Sequence, residues 1–412
     1  MSRILEWEEA LSLLNKIAHP LPPKKVPLAE AAGLVLAEEI TSPVSFPPFP
    51  RSRVDGYALG PSLSQEYRLV GEVPAGGGYP KPLGPGEAVR IFTGAPVPRG
   101  TIGILPQEWA QEEGKRLHLP FKVDPIVLAS LIQKVGEEIE QGEKILVPGM
   151  PLTPPEIGLL AALGFREVTV RPQPQVALVA VGSELRDIGE WEESTIPSSN
   201  LFALEASLRL DGVQVYSFPP VPDDLKNLVS LIRSKLDLVD LVITCGGTGE
   251  GKYDFTARAF IEVGAEFLFT RVNFRPGGRI IVARVGSRFL VGLPGMPSAA
   301  LVAFHLLVRP LIKALAGKEL RPCFWKGILV EQVGKERRQR VFLYARARNV
   351  QGIWELTPVN LGQGALKAGI GANALVDLPP GTSPIPRETE VNFIPLNYGP
   401  LLPCPLEDKS NI

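Results

Sequence analysis

The sequence predicts a multi-domain chain of α/β plus β class. It should contain an α/β domain, with a mainly parallel sheet and helices on both faces, a β-rich domain and a C-terminal β domain. Three observations predict it. The chain has 412 residues, too many for one ordinary domain of about 150 residues. Between residues 175 and 318, continuous apolar runs alternate with amphipathic ones, as in a sheet covered on both faces. On either side of that stretch, short β-like runs are broken by Gly and Pro, with no long helical period.

Taken in order, residues Ile4 to Ile17 read as a helix, because Leu5, Leu11 and Leu14 recur near helical spacing and Glu8 and Glu9 sit in the first turns. The run His19-Pro20-Leu21-Pro22-Pro23 ends it. Short β runs follow at Tyr67 to Val70, Ala88 to Phe92, Ile102 to Leu105 and Arg116 to Leu119. A Pro-started helix is expected over Pro155 to Leu163. In the α/β stretch, Val176 to Val181, Val213 to Phe218, Leu238 to Cys245, Phe267 to Val272, Ile280 to Val285 and Phe289 to Val291 read as strands. Leu201 to Leu210, Leu225 to Leu236, Phe255 to Val263 and Ser298 to Ala316 read as helices. Turns every 8–12 residues from Arg321 to about Pro395 suit a small closed barrel or sandwich. The tail from Asn397 to Ile412 reads as loose.

Composition narrows the function. The 42 prolines are roughly twice the usual share, and 41 glycines accompany them. Interleaved with Val-, Ile- and Leu-rich runs, they indicate short elements joined by stiff turns. With 43 basic and 44 acidic residues the net charge is -1, which argues against a nucleic-acid-binding surface. Cys245, Cys323 and Cys404 are scattered and odd in number, so a disulfide framework is not expected and a cytoplasmic setting is. The 3 histidines have no close Cys or His partner, which argues against zinc. No membrane span is expected. The apolar stretch Ala299 to Ala316 carries His305, Arg309, Pro310 and Lys313.

Ligands of a parallel α/β sheet bind beyond the carboxyl ends of its strands. Three loops qualify. The first is Gly182-Ser183-Glu184-Leu185, the second Gly246-Gly247-Thr248-Gly249-Glu250-Gly251-Lys252-Tyr253-Asp254, and the third Gly292-Leu293-Pro294-Gly295-Met296-Pro297. The second fits G-x-x-x-x-G-K, but Tyr253 stands where a nucleotide-binding P-loop needs Ser or Thr for magnesium. Its glycines still let backbone N–H groups approach an anion. The third reads equally as a tight helix start and as an anion loop. In the β-rich stretch, Arg51, Arg53 and Asp55 read as turn residues or as the lining of a ligand cleft. The acids Glu137, Glu138 and Glu140 read as a solvated face.

Five motifs together resemble the molybdopterin molybdenumtransferase family, of the MoeA and gephyrin E-domain type. They are Ser52-Arg-Val-Asp-Gly-Tyr-Ala58, Ala88-Val-Arg-Ile-Phe-Thr-Gly-Ala-Pro-Val-Pro98, Val181-Gly-Ser-Glu-Leu185, Gly246 to Asp254 and Gly292 to Pro297. The resemblance runs from about Leu5 to Pro395. It implies a split first domain (1–44 and 140–174), a β-rich domain (45–139), a MogA-like α/β domain that binds molybdopterin (175–318) and a C-terminal β domain (319–400). It implies insertion of molybdate-derived metal into adenylylated molybdopterin with release of AMP. An elongated homodimer, Mg2+ and molybdopterin adenylyltransferase as upstream donor come with it.

The resemblance also implies site residues. Asp55, Glu184, Asp254 and Arg275 would be catalytic, and Asp55, Glu184, Asp254 and Glu138 would hold metal. Thr93, Gly94, Gly246, Gly247, Thr248, Gly249, Gly251, Lys252, Arg279, Pro294 and Gly295 would bind substrate. The chain departs from the family at several of these places. A Lys-Pro-Gly-Lys-Pro motif is Arg275-Pro-Gly-Gly-Arg279 here, so its second cation is lost or displaced by one position. Ser183 and Ser198 replace acids, Met296 replaces an Asn, and Lys252 stands where many members carry an acid. Two readings follow: a transferase with a retuned cleft, and a non-catalytic or tungsten-specialised relative that binds molybdopterin.

Overall fold

The computed structural model describes residues 4–119, 122–190, 192–248, 254–319, 322–334, 338–359, 366–381 and 384–396. The chain divides into two compact units, residues 25–170 and residues 1–24 with 171–412.

In the unit 25–170, a six-stranded sheet runs in the order Gly103–Pro106, Gly56–Leu59, Glu87–Ile91, Glu66–Val73, Arg116–His118 and Gln111–Glu113. Four of these strands match the expected β runs. Gly56–Leu59 was not foreseen, since Asp55-Gly56 reads as a turn from sequence alone. It is buried at every position, and Gly56 is required there because a Cβ would lie 2.0 Å from the Leu105 carbonyl oxygen. A second core gathers Val26, Leu36 and Ile40 from one end of this stretch with Leu146, Leu160, Val168 and Val170 from the other. The strands Lys24–Pro27, Glu167–Arg171 and Val35–Leu36 form one small sheet beside it. Helix Pro154–Ala162 starts at a capping box made by Thr153 and Glu156.

In the other unit, a six-stranded sheet has the order Gln214–Val221, Gln175–Val181, Leu241–Gly246, Arg288–Leu293, Ile281–Val285 and Glu266–Phe269. The first four strands are parallel, and Ile281–Val285 runs antiparallel to its neighbours on both sides, so that Glu266–Phe269 points the same way as the first four. The sheet is mainly parallel, as expected, with one reversed strand near one side. Asp224 caps Leu225–Leu236 by accepting from the Asn227 amide, and Asp254 caps Phe255–Glu262 by accepting from Ala257. The long last helix spans Pro297–Leu315 and contains a π turn over Phe304–Val308. By length and composition it could cross a membrane, but 83% of its apolar stretch is buried in the core.

The C-terminal strands Arg340–Val350, Ile353–Pro358, Trp325–Leu329, Glu390–Pro395 and Ala374–Leu378 close on themselves through a further pairing of the first with the last. Of the barrel and sandwich expected from the turn spacing, the chain adopts the barrel. Cys245 is free and buried, and Cys323 is disulfide-bonded, a bond not expected from the sequence. The tail 397–412 lies outside the described residues.

Helix Trp7–Ile17 does not join the split core expected of residues 1–44. Trp7, Ala10 and Leu14 are buried in the same core as Leu306, Leu311 and Phe342. Trp7 Nε1 donates to the Leu306 carbonyl at 3.2 Å. Its ring packs edge-on to Phe342 at 5.4 Å, and the Arg340 guanidinium lies 4.8 Å from its centroid. The amphipathic period shows which face of this helix is buried, but cannot name the partner. Trp7→Ala should destabilise this unit by about 3–5 kcal/mol in urea unfolding. Trp7→Phe, which keeps most packing and loses the N–H donor, should cost about 1 kcal/mol.

Candidate active site

The pocket forms where the parallel sheet reverses its order. Strand Gln175–Val181 has Gln214–Val221 on one side and Leu241–Gly246 on the other. Connections leave in opposite directions from this point, and a crevice opens beyond the carboxyl ends. It encloses about 470 Å³. All three expected loops reach its walls: Gly182 and Glu184 from the first, Gly246, Gly247 and Thr248 from the second, and Pro294 and Gly295 from the third. Gly249, Gly251 and Lys252 lie outside the described residues.

Backbone contact shapes the second loop. Gly246 has φ +96° and Gly247 has φ +62°, a region that only glycine enters freely. A Cβ on Gly246 would stand 2.2 Å from the Val181 carbonyl oxygen. Buried Thr256 fixes the turn from behind: its hydroxyl donates to the Gly246 carbonyl at 3.0 Å and its amide to the Gly247 carbonyl at 3.1 Å. Asp254 Oδ1 accepts from the Ala257 amide at 2.9 Å. Burial raises the Asp254 carboxyl above its ordinary value, against the opposing effect of that amide.

The first loop is held across the crevice. Ser183 N donates to Asp223 Oδ2 at 3.2 Å, and Asp223 N donates to Ser183 Oγ at 3.0 Å. The Glu184 carboxylate folds over Gly182, where a Cβ would meet Oε2 at 2.6 Å. The third loop is anchored by Asn200, whose Nδ2 donates to the Gly295 carbonyl at 2.6 Å. Cys245 also lines the pocket. Burial pushes its thiol up to about 12, so it stays protonated and is no nucleophile.

The two arginines of the 275–279 segment part company. Arg279 lines the pocket. Gly278 has no room for a side chain, because a Cβ there would lie 2.3 Å from the Val272 oxygen and 2.4 Å from the Phe274 oxygen. Arg275 is not in the pocket wall. It sits in the short strand Phe274–Arg275, which pairs with the barrel strand at Arg340–Val341, and its Nε donates to Gln339 Oε1 at 2.7 Å.

In the β-rich unit, Asp55 Oδ1 accepts from both the amide and the hydroxyl of Thr93, each at 2.7 Å. These bonds hold the Asp55 carboxyl below its ordinary value, the amide contributing most. Gly94 follows with φ +79° and donates to the Ser52 carbonyl at 2.8 Å. Glu138 accepts from Arg51 at 3.1 Å and from Gln133, while Glu137 pairs with Arg53. Two of the three acids read as a solvated face, Glu137 and Glu138, are thus the counterions of the two arginines.

The four expected metal ligands are divided between the two units. Asp55 and Glu138 belong to one unit, Glu184 and Asp254 to the other. Among the described residues, no group of three or more His, Cys, Asp or Glu is placed to hold a metal ion. Glu138 is committed to Arg51 and Gln133, and Asp55 to Thr93. Sequence reasoning missed Asn200 and Asp223 as pocket residues, and Thr256 as the support behind the second loop. The pair Asp223-Asp224 reads as a helix start, which hides the separate task of Asp223.

The glycine-lined crevice at the reversal point of a mainly parallel sheet has the Arg279 guanidinium and the Glu184 and Asp223 carboxylates in its wall, the makings of a ligand site at the position where such sheets bind ligands. The comparisons identify the family. Residues 5–164 match the model of the MoeA N-terminal region (domain I and II), and residues 177–314 match that of a probable molybdopterin binding domain. The chain is 32% identical over 388 residues to a molybdopterin molybdenumtransferase of Staphylococcus aureus, covering 91% of each chain. It is 31% identical over 386 residues to one of Staphylococcus epidermidis, again over 91% of each. The solved molybdopterin biosynthesis MoeA protein of Pyrococcus horikoshii superposes with TM-score 0.79 at 27% identity, covering 95% of this chain and 99% of that one. The chain belongs to the molybdopterin molybdenumtransferase family.

Gly246→Ala tests the contact that shapes the pocket. It should destabilise the α/β unit by about 3 kcal/mol, from backbone strain plus collision with Val181. Gly264→Ala shares a positive φ, +80°, but has open space around it and should cost about 1 kcal/mol. Urea unfolding of the two variants separates strain from collision.

Proposed function

We propose that this chain is a molybdopterin molybdenumtransferase of molybdenum cofactor biosynthesis, taking adenylylated molybdopterin and molybdate as substrates and releasing AMP. One observation carries the reading: the glycine-shaped crevice at the sheet's reversal point, with Arg279 and Glu184 in its walls, in a chain of this family. Both substrates are oxyanions. Backbone N–H groups of the Gly246-Gly247-Thr248 turn and the guanidinium of Arg279 suit such charge without a change in protonation. Met296 is 58% exposed at the start of the last helix and is not part of the pocket wall.

Magnesium belongs to the same reading. Mg2+ is usually held by one or two carboxylates together with substrate phosphates, and the carboxylates near the pocket fit that pattern. Glu184 in the wall and Asp254 at the neighbouring helix start would hold it, where it would neutralise charge on the phosphates. Asp254 also keeps one oxygen on the Ala257 amide, which fixes its direction. Asp55, with Thr93 holding its carboxylate ionised, belongs to the catalytic set of this reading, and so does a homodimer.

The test is AMP release from adenylylated molybdopterin with magnesium and molybdate, on material whose dimer mass is checked by light scattering. The wild-type chain should turn over, and no turnover would sink the proposal. Asp254→Asn should lower turnover by about two orders of magnitude. Its thermal midpoint should stay level or rise, because Asn caps a helix about as well as Asp and removes a partly buried charge.

A further inference from the structure

Ser198 stands at the start of helix Ser199–Leu210, where a serine hydroxyl ordinarily accepts a bond from the first turn. Here it makes no such capping bond. The residue is 2% exposed, and among the described residues its Oγ has no hydrogen-bond partner. A buried hydroxyl left unpaired costs stability, and most buried polar atoms in folded proteins are paired. Ser198 also lines the crevice, beside Ser199 and Asn200 of the same helix start and Arg279 across it. An uncapped helix start presents N–H donors and a partial positive charge.

We propose that Ser198 is a ligand-contacting residue of this pocket, its hydroxyl donating to a phosphate oxygen of the substrate at the start of helix Ser199–Leu210. Rotation about χ1, among staggered positions, brings Oγ to the ligand. The inference rests on the proposed transferase reading for the identity of the substrate, and on the orphaned hydroxyl for the contact itself. It also gives a reason for a departure from the family. A carboxylate at this position would repel a phosphate oxygen that it met without a metal, whereas a hydroxyl donates to it. Ser183, the other serine in an acidic position, is already paired with Asp223, so Ser198 is the one with a bond to give.

The test measures binding and stability with opposite expected signs. In the full-length protein, Ser198→Ala should keep or raise the thermal midpoint, because it removes an unpaired buried polar atom. The same variant should weaken binding of inorganic pyrophosphate, measured calorimetrically, roughly tenfold. Ser198→Asp should weaken it further in the absence of magnesium. A lowered midpoint in Ser198→Ala would show that the hydroxyl serves the fold. Unchanged pyrophosphate affinity in both variants would overturn the contact, as would no pyrophosphate binding by the wild type. AMP release by wild type together with pyrophosphate affinity indifferent to Ser198 overturns this inference and leaves the transferase reading standing. Ser198-dependent pyrophosphate binding without AMP release does the reverse.

Discussion

The contact between Gly246 and the Val181 carbonyl is the constraint on which the pocket depends. Two neighbouring parallel strands end there, and the backbone of one turns directly against the other. The distance leaves no room for a Cβ, so the close approach and the positive φ both demand glycine. Each loop of the crevice is placed by this junction. Val181 leads straight into Gly182 and Glu184. Gly246 leads through Gly247 to the helix that Asp254 caps. Gly295 packs near the Gly246 Cα, where a Cβ on Gly295 would lie 3.6 Å away. Thr256, Asn200 and the Ser183–Asp223 pair then pin the three loops from outside.

Charge is handled differently in the two units. In the β-rich unit the polar side chains satisfy one another: Arg51 with Glu138 and Gln133, Arg53 with Glu137, and Asp55 with Thr93. Pairs this exposed contribute little to stability, so their value lies in orientation. The Asp55 carboxylate is fixed in direction and remains ionised at neutral pH. Its depressed value means that this tie is present above the ordinary carboxyl range and is lost only as pH falls through the lowered folded value. Beside the α/β pocket, at the start of helix Phe255–Glu262, the opposite holds for Asp254, whose charge is opposed by burial. A cation or a phosphate-bound magnesium arriving beside it would relieve that opposition, which couples ligand binding to the state of the carboxylate.

Much of this was legible in the sequence because the signals are local. Asp224 marks a helix start, Pro297 sits in a first turn, and the apolar runs of Gln175–Val181 and Leu241–Gly246 are nearly continuous. The three loops could be assigned to the carboxyl ends for the same reason, since each directly follows such a run. What escaped depends on contacts between distant residues. Trp7 shares a core with Leu306 and Phe342, some 300 residues away along the chain. Gly56–Leu59 is a central strand whose neighbours come from two later segments, and its Asp-Gly start imitates a turn. The Ser183–Asp223 bridge and the Asn200 anchor likewise join segments that no periodicity connects.

Departures from the family pattern then acquire separate physical meanings. Gly278 is imposed by two carbonyl oxygens that leave no space for a side chain. Ser183 trades an acid for a two-way tie to Asp223, so a carboxylate still lines the crevice, now offered from the opposite loop. Arg279 and Asp223 both line the crevice. Ser198 is of another kind, because no neighbour takes over its missing acid and its hydroxyl is left without a bond. A fold tolerates a rearranged charge at little cost, but a buried orphan is a standing penalty. The site's specificity is therefore to be sought at the start of helix Ser199–Leu210 rather than at the glycine loops, whose geometry the strands already dictate.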